Sequence, residues 1–375
     1  MLDDKIQSSA DTLMANIRSQ GIKVNRICCL NLSPEQIEVC QLVSKQLTAD
    51  IQTVTGIGLI DGINLINNYR FETLICVKKD IRIANDLLWG CKSIKQYICI
   101  DSVDATKETE KNSILMNKKF WDYMSVNANT PAEAGAWINS FTGEVFTDAE
   151  LHEFTQNTKV KLMPHLTKSK RVLEVGCASG LTMYSIANSV KEYVALDLSS
   201  VTIAKNELKN ANDKIYNIKM HNLYAHELDR LQEENFDVGI MNSVIQCFDG
   251  HFYLKRVIKL FIDKLSVDGV LFVGDVIDAD KRIEYHNSIH EYNRKQGKTP
   301  KVDLSHDLFL PKEFFYNLKQ DFWEIDEVEI SSKHHTIENE LTKFRYDVLI
   351  KLNKNNTNIY TKTQRKMIFS CHIGG

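Results

Sequence analysis

The sequence predicts an α/β fold: a Rossmann-like, seven-stranded, mostly parallel sheet with an N-terminal α/β extension. Three observations predict it. Short apolar runs alternate with stretches of helical period along most of the 375 residues, the pattern of buried parallel strands joined by helices. The run 172–175 ends in a turn, Gly176-Cys177-Ala178-Ser179-Gly180, and enters the apolar-periodic segment 181–190. A second apolar run, 193–196, then ends in Asp197, where open α/β sheets place a carboxylate to bind a ribose.

Taken in order, residues 1–22 read as an amphipathic helix. From Arg26 the pattern predicts strand 27–32, helix 34–47, strand 51–55, and a loop through Gly56, Gly58 and Gly62. Strand 73–77, helix 83–89 and strand 96–100 follow. Residues 1–105 thus form a small parallel α/β module of unassigned role, with no phosphate loop and no cluster of acid, base and nucleophile. The polar stretch 101–117 reads as a linker. With the helical region 147–166, where Asp148 complements the helix dipole, it makes residues 106–169 a linker and helical lid. The core, 170–353, is expected to carry strands at 171–175, 193–197, 217–221, 236–241 and 269–275. An insertion at 279–306 precedes an antiparallel edge at 325–331 and 344–352. Residues 354–375 read as a polar, frayed C-terminal tail.

Composition narrows the function. A hydrophobic fraction of 43% and a charged fraction of 25% are those of a globular protein. The net charge of −3 offers no basic surface for nucleic acid. Nine cysteines without a C-x-x-C pair indicate reduced thiols in a cytoplasmic protein rather than a zinc or disulfide framework. No apolar run reaches the roughly 18 residues that span a bilayer, and no signal peptide opens the chain.

The turn at 176–180 reads as a nucleotide site, and its details favour S-adenosylmethionine over a dinucleotide. A dinucleotide fingerprint needs G-x-G-x-x-G, whereas Ala178 replaces the middle glycine. Glu174 would oppose a pyrophosphate but suits the ammonium of a methionine moiety. Ligands of open sheets bind at the carboxyl ends of the strands. That rule selects Gly176, Cys177, Ser179 and Gly180 after the first core strand, then Asp197 and Leu198 after the second. It adds Asn222 and Leu223 after the third and Asn242 and Ser243 after the fourth, with Gln246, His251 and Asp275 beyond them. An alcohol acceptor needs a base, most often histidine, and His251 is the first candidate. Glu340 could orient a histidine, or belong to an ion-paired sheet edge with Tyr346 and its neighbours. His286 and His290, at i,i+4, read as a solvated helix face, so no metal site is expected.

At this point residues 172–187, 242–248 and 337–348 resemble methyltransferase domains embedded in polyketide synthases and nonribosomal peptide synthetases. Phe141-Thr142-Gly143-Glu144, residues 153–158 and Gly274-Asp275-Val276 fit the same pattern. The resemblance covers about residues 118–353 and is strongest to O-methyltransferase domains of modular, trans-acyltransferase polyketide synthases. It implies a class I fold, S-adenosylmethionine as donor and S-adenosylhomocysteine as product. It further implies a substrate tethered by phosphopantetheine to an acyl carrier protein within a multidomain synthase, with a β-hydroxyl as acceptor; nitrogen or carbon is the alternative. A His/Glu pair of the family maps onto His251 and Glu340, with Tyr346 as a third catalytic candidate. Peptide-synthetase relatives carry Glu-Trp where this chain has Glu153-Phe154, which leans towards oxygen.

Overall fold

A computed structural model of the chain describes residues 2–56, 58–102, 104–105, 114–299, 304, 306–355 and 366–373. It divides into two units: Met1–Lys111 with Gly250–Phe252 and Lys362–Gly375, and Asn112–Asp249 with Tyr253–Thr361.

The first unit runs α1 (Leu2–Ser19), β1 (Arg26–Leu30), α2 (Pro34–Leu47), β2 (Asp50–Val54), α3 (Leu59–Tyr69), β3 (Thr73–Cys76), α4 (Ile81–Gly90) and β4 (Gln96–Cys99). Its sheet has the order β2-β1-β3-β4, all parallel, and a further parallel strand at Met367–Ser370 pairs with β4. Every residue of β3 and β4 is buried, as expected of strands covered on both faces. Ser33 caps α2: its hydroxyl accepts from Gln36 N while the Gln36 side chain accepts from Ser33 N, and Pro34 fills the first turn.

Two features differ from the sequence reading. Gly62 lies inside α3, not in a loop, because Ile63 and Ile66 bury one face of that helix; tertiary packing outweighs the roughly 1 kcal/mol that a helical glycine costs. The C-terminal segment is not wholly frayed. Met367–Ser370 pairs with β4, and Ser370 Oγ accepts from Ala105 N at 2.6 Å. A four-residue strand between polar neighbours has too little periodicity to be seen locally.

The second unit begins with α5 (Lys118–Asn127), α6 (Pro131–Ala134) and α7 (Asp148–Leu162). Next come β5 (Arg171–Val175), α8 (Leu181–Ile186), β6 (Glu192–Asp197), α9 (Ser200–Asn212), β7 (Ile218–Asn222) and β8 (Phe236–Asn242). The second half holds α10 (His251–Lys264), β9 (Leu265–Asp278), α11 (Arg282–Lys295), β10 (Phe309–Leu310) and α12 (Lys312–Asp321). It closes with β11 (Ile325–Ser331), α13 (Glu340–Lys343) and β12 (Arg345–Leu352). Sheet order is β7-β6-β5-β8-β9-β12-β11, with β10 paired to β9 off this path. All neighbours are parallel except β12, which runs antiparallel to both β9 and β11. The antiparallel strand therefore sits inside the sheet and β11 forms the edge. Strand order reverses at β5 and β8, so their carboxyl ends diverge and open a crevice. This arrangement is the class I methyltransferase sheet.

Candidate active site

The crevice between β5 and β8 leads into a cavity whose floor is the turn after β5. Glu174, next to last in β5, is 2% exposed. Burial pushes its carboxyl up to about 8; the Tyr193 hydroxyl, which donates to Oε2 at 2.9 Å, works against this, and the Asp197 charge adds to it. The turn is held by backbone geometry. Gly176 and Gly180 have φ of 78° and 84°, where a side chain is strained. A Cβ at Gly176 would stand 2.5 Å from Val244 Cγ2, and one at Gly180 2.5 Å from Tyr184 Cε2. Ala178 and Ser243, at φ 44° and 55°, share the left-handed region, and non-glycine strain of this kind gathers where a ligand is gripped.

Asp197, at the end of β6, ties the two loops together. Its Oδ2 accepts from Ala178 N at 3.0 Å and Oδ1 from Ser199 N at 2.8 Å. Burial raises its pKa, and those two amides pull it back down. Asn222 donates through Nδ2 to the Asp197 carbonyl at 2.9 Å, which fixes the β7 loop beside it. At β8, Asn242 Nδ2 donates to Thr158 Oγ1 and Thr182 Oγ1 at 3.1 and 3.0 Å.

Of the residues selected from the sequence, Glu174, Gly176, Cys177 and Ser179 line this cavity, as do Asp197, Leu198, Leu223, Asn242 and Ser243. Gly180 and Asn222 are not in the lining; they shape the turn and the β7 loop behind it. The candidate base and its partners lie elsewhere. His251, 1% exposed, groups with the first unit, its ring stacked on Trp89 with centroids 6.4 Å apart. Glu340 is buried and accepts from Ser140 N, Ser140 Oγ and Tyr285 OH at 2.8, 2.9 and 3.0 Å, so it pins a loop. The Tyr346 hydroxyl donates to the Leu310 carbonyl at 2.9 Å. Asp275 lies within β9, fully buried, with φ 64°, and pairs with Arg345 and Lys333. The rings of His286 and His290 are 4.3 Å apart on α11, and among the described residues no group of three or more His, Cys, Asp or Glu could hold a metal.

Sequence reasoning missed much of the cavity wall. Leu115, Met116, Trp121, Trp137 and Phe154 line it from the segment before β5, and Tyr224 and Phe248 line it from the loops. The Trp137 and Phe154 rings meet edge to face, 4.6 Å apart. Helix α5 is brought there by Asp122, whose Oδ1 accepts from Ser199 Oγ at 2.7 Å and Val201 N at 3.3 Å. A short contact between Ser125 and Thr202, 2.5 Å, adds to it. The aromatic residues Phe120-Trp121 and the Glu153-Phe154 pair were the available signals.

The donor set fits a methionine-linked nucleoside. Ser179 Oγ and Asn242 Oδ1 are buried, without a partner among the described residues, in side chains that line the cavity. Buried polar atoms left so require a ligand or water. Residues 173–271 match the family model described as a methyltransferase domain.

The segment is a methyltransferase domain. Its cofactor is S-adenosylmethionine, which supplies, when bound, an electrophilic methyl group on a sulfonium. Over 236 residues the chain is 30% identical to a probable non-canonical nonribosomal peptide synthetase, CymA, of Salinispora arenicola, covering 61% of this chain and 3% of that protein. Over 230 residues it is 30% identical to chondramide synthase cmdD of Chondromyces crocatus, covering 58% of this chain and 6% of that one. The chain thus spans only a small part of the curated relatives it matches. The N-methyltransferase NodS of Bradyrhizobium japonicum, solved with S-adenosylhomocysteine, is 15% identical with a TM-score of 0.42, covering 63% of this chain and 97% of that one. No described helix is long and apolar enough to cross a membrane.

Proposed function

We propose that the methyltransferase domain methylates the amino nitrogen of an aminoacyl or peptidyl intermediate, tethered to a carrier protein in a nonribosomal peptide assembly line. The observation that carries this reading is the pair of synthetase relatives, each aligned over more than half of the chain. The cavity chemistry supports nitrogen over oxygen. A hydroxyl must lose a proton as the new bond forms and so calls for a base, a contribution of about 10² to 10⁴ in rate; a neutral amine attacks with its own lone pair. Among the described residues the lining includes neither histidine nor lysine, and its only carboxylates are Glu174 and Asp197. Both belong to the donor side: Glu174 would receive the donor ammonium and Asp197 the ribose hydroxyls. Gly176 and Gly180 would let the backbone close on the methionine portion, while Leu198, Leu223 and Tyr224 would enclose the adenine. The aromatic wall of Trp121, Trp137 and Phe154 would exclude water and align the acceptor, which is most of what methyl transfer asks of a protein.

The test is incubation with methyl-labelled donor and carrier-bound aminoacyl, β-hydroxyacyl and β-ketoacyl substrates. Label on the amine is expected. Label confined to the hydroxyl oxygen or to the α-carbon would overturn the assignment, the former in favour of the polyketide-type O-methyltransferase that the sequence strings resemble.

A further inference from the structure

The first unit carries a crevice that the methyltransferase domain does not use. Its strand order, β2-β1-β3-β4, reverses direction between β1 and β3. Right-handed crossovers therefore send α2 to one face of the sheet and α3 and α4 to the other, and α1 packs on α2 while α3 packs on α4. The carboxyl ends of β1 and β3 part at this point, which is where doubly wound sheets take their ligands. A crevice of about 750 Å³ lies there, lined by Asn31, Ser33 and Gln36 after β1, Lys78 and Lys79 after β3, and Asp101 after β4.

Its rim is built rather than loose. Asn31 holds the left-handed conformation at φ 49°. Its amide donates to Asp80 Oδ1 at 3.2 Å and its Oδ1 accepts from Gly56 N at 3.0 Å. Asp80 is 7% exposed, and its Oδ2 has no partner among the described residues, one hydrogen bond behind the crevice wall. Asp101 Oδ1 accepts from Lys78 N at 2.6 Å, fixing the β3 loop against the β4 loop. The Lys78 and Lys79 side chains are exposed and carry no ion pair among the described residues. Two unpaired ammonium groups favour an anion and oppose a divalent cation. Asp101 at the far rim would repel a bare anion but accept a hydroxyl, the role a carboxylate takes towards a ribose in such folds.

We propose that this crevice binds a phosphate monoester, with the phosphate towards Lys78 and Lys79 and a hydroxyl-bearing portion towards Asp101. The site lies wholly in the first unit and does not depend on the methyl-transfer reading. Calorimetric titration of the full chain with inorganic phosphate, AMP and pantetheine 4′-phosphate tests it. At least one ester should bind with a Kd below about 1 mM and more tightly than inorganic phosphate. The Lys78→Glu/Lys79→Glu double variant should lose about tenfold or more of that affinity, with S-adenosylmethionine affinity unchanged as the check on folding. If that variant does not fold, Lys78→Gln/Lys79→Gln replaces it. Absence of ester binding up to about 10 mM, equal affinity in the lysine variant, or inorganic phosphate binding as tightly as both esters would each overturn the proposal.

Discussion

With the donor ammonium placed on Glu174, as proposed, the buried carboxyl makes donor binding a proton-linked event. In the free protein its pKa stands at about 8 against an ordinary 4.5, so between those two values the folded state holds a proton that the unfolded chain has released. The sign is unfavourable to the fold: stability declines as pH rises through this window, by about 1.4 kcal/mol per pH unit and about 5 kcal/mol across it. A methionine ammonium placed against Glu174 reverses the preference, because the pair is favourable only with the carboxylate ionised. Donor uptake at pH 7 should then expel about 0.9 proton from this group, and affinity should climb with pH until it levels off near 8. Titration calorimetry in two buffers of different ionisation enthalpy counts the proton directly. Glu174→Gln supplies the control, since it keeps the size of the side chain, cannot ionise, and leaves any titration of the donor's own amine in place. Equal proton release from the native protein and from Glu174→Gln would refute the coupling. Thermal unfolding of the donor-free protein should show the same residue from the other side, with the glutamine variant gaining on the native protein as pH rises from 5 to about 8.

Four further outcomes follow from the same geometry. Gly176→Ala puts a Cβ at φ 78° and 2.5 Å from Val244 Cγ2; we expect a loss of about 1–3 kcal/mol in denaturant unfolding and at least about tenfold in donor affinity, and full retention of both would contradict the strained turn. Lys333 is 2% exposed at its side chain and lies 2.6 Å from Asp347 and 3.4 Å from Asp275, so Lys333→Met should cost about 3–5 kcal/mol by leaving buried carboxylate charge uncompensated. Asp347 itself, drawn down to about 2 against its burial by Lys333, Lys161 and Asn157, contributes about 2 kcal/mol that is present above pH 3.8 and lost as pH falls towards 2, readable as the slope of acid unfolding. His251→Gln should leave turnover within about tenfold, because a base would be worth 10² or more and this ring stacks on Trp89 rather than lining the cavity; a loss of several hundredfold with unchanged stability would restore it as the base.

Much of the fold was legible because its signals are local. The capping box of Ser33 and Gln36 starts α2 at Pro34, and the short apolar runs at 172–175 and 193–196 form buried parallel strands. Glycines at 176 and 180 mark a turn that side chains could not make. The exceptions were elements whose reward is distant. Helix α3 tolerates Gly62 because Ile63 and Ile66 bury one of its faces, and the Met367–Ser370 strand exists through pairing with β4, some 270 residues earlier. Likewise, the i,i+4 spacing of His286 and His290 could be read directly, but not whether other ligands converge on it.

By itself, then, the order of residues determined the strand-turn-helix at 171–186, the acidic groups that flank it, and the expectation of a nucleoside sulfonium there, since each depends on backbone preferences within a few neighbours. Only the tertiary structure decided which side chains line that cavity. Trp121 and Trp137 reach the cavity through contacts such as Asp122 to Ser199, while Glu340 and Tyr346 turn to hydrogen bonds with Ser140 and Leu310. Such choices rest on packing and hydrogen bonds between residues far apart in the chain, where periodicity and spacing carry no information.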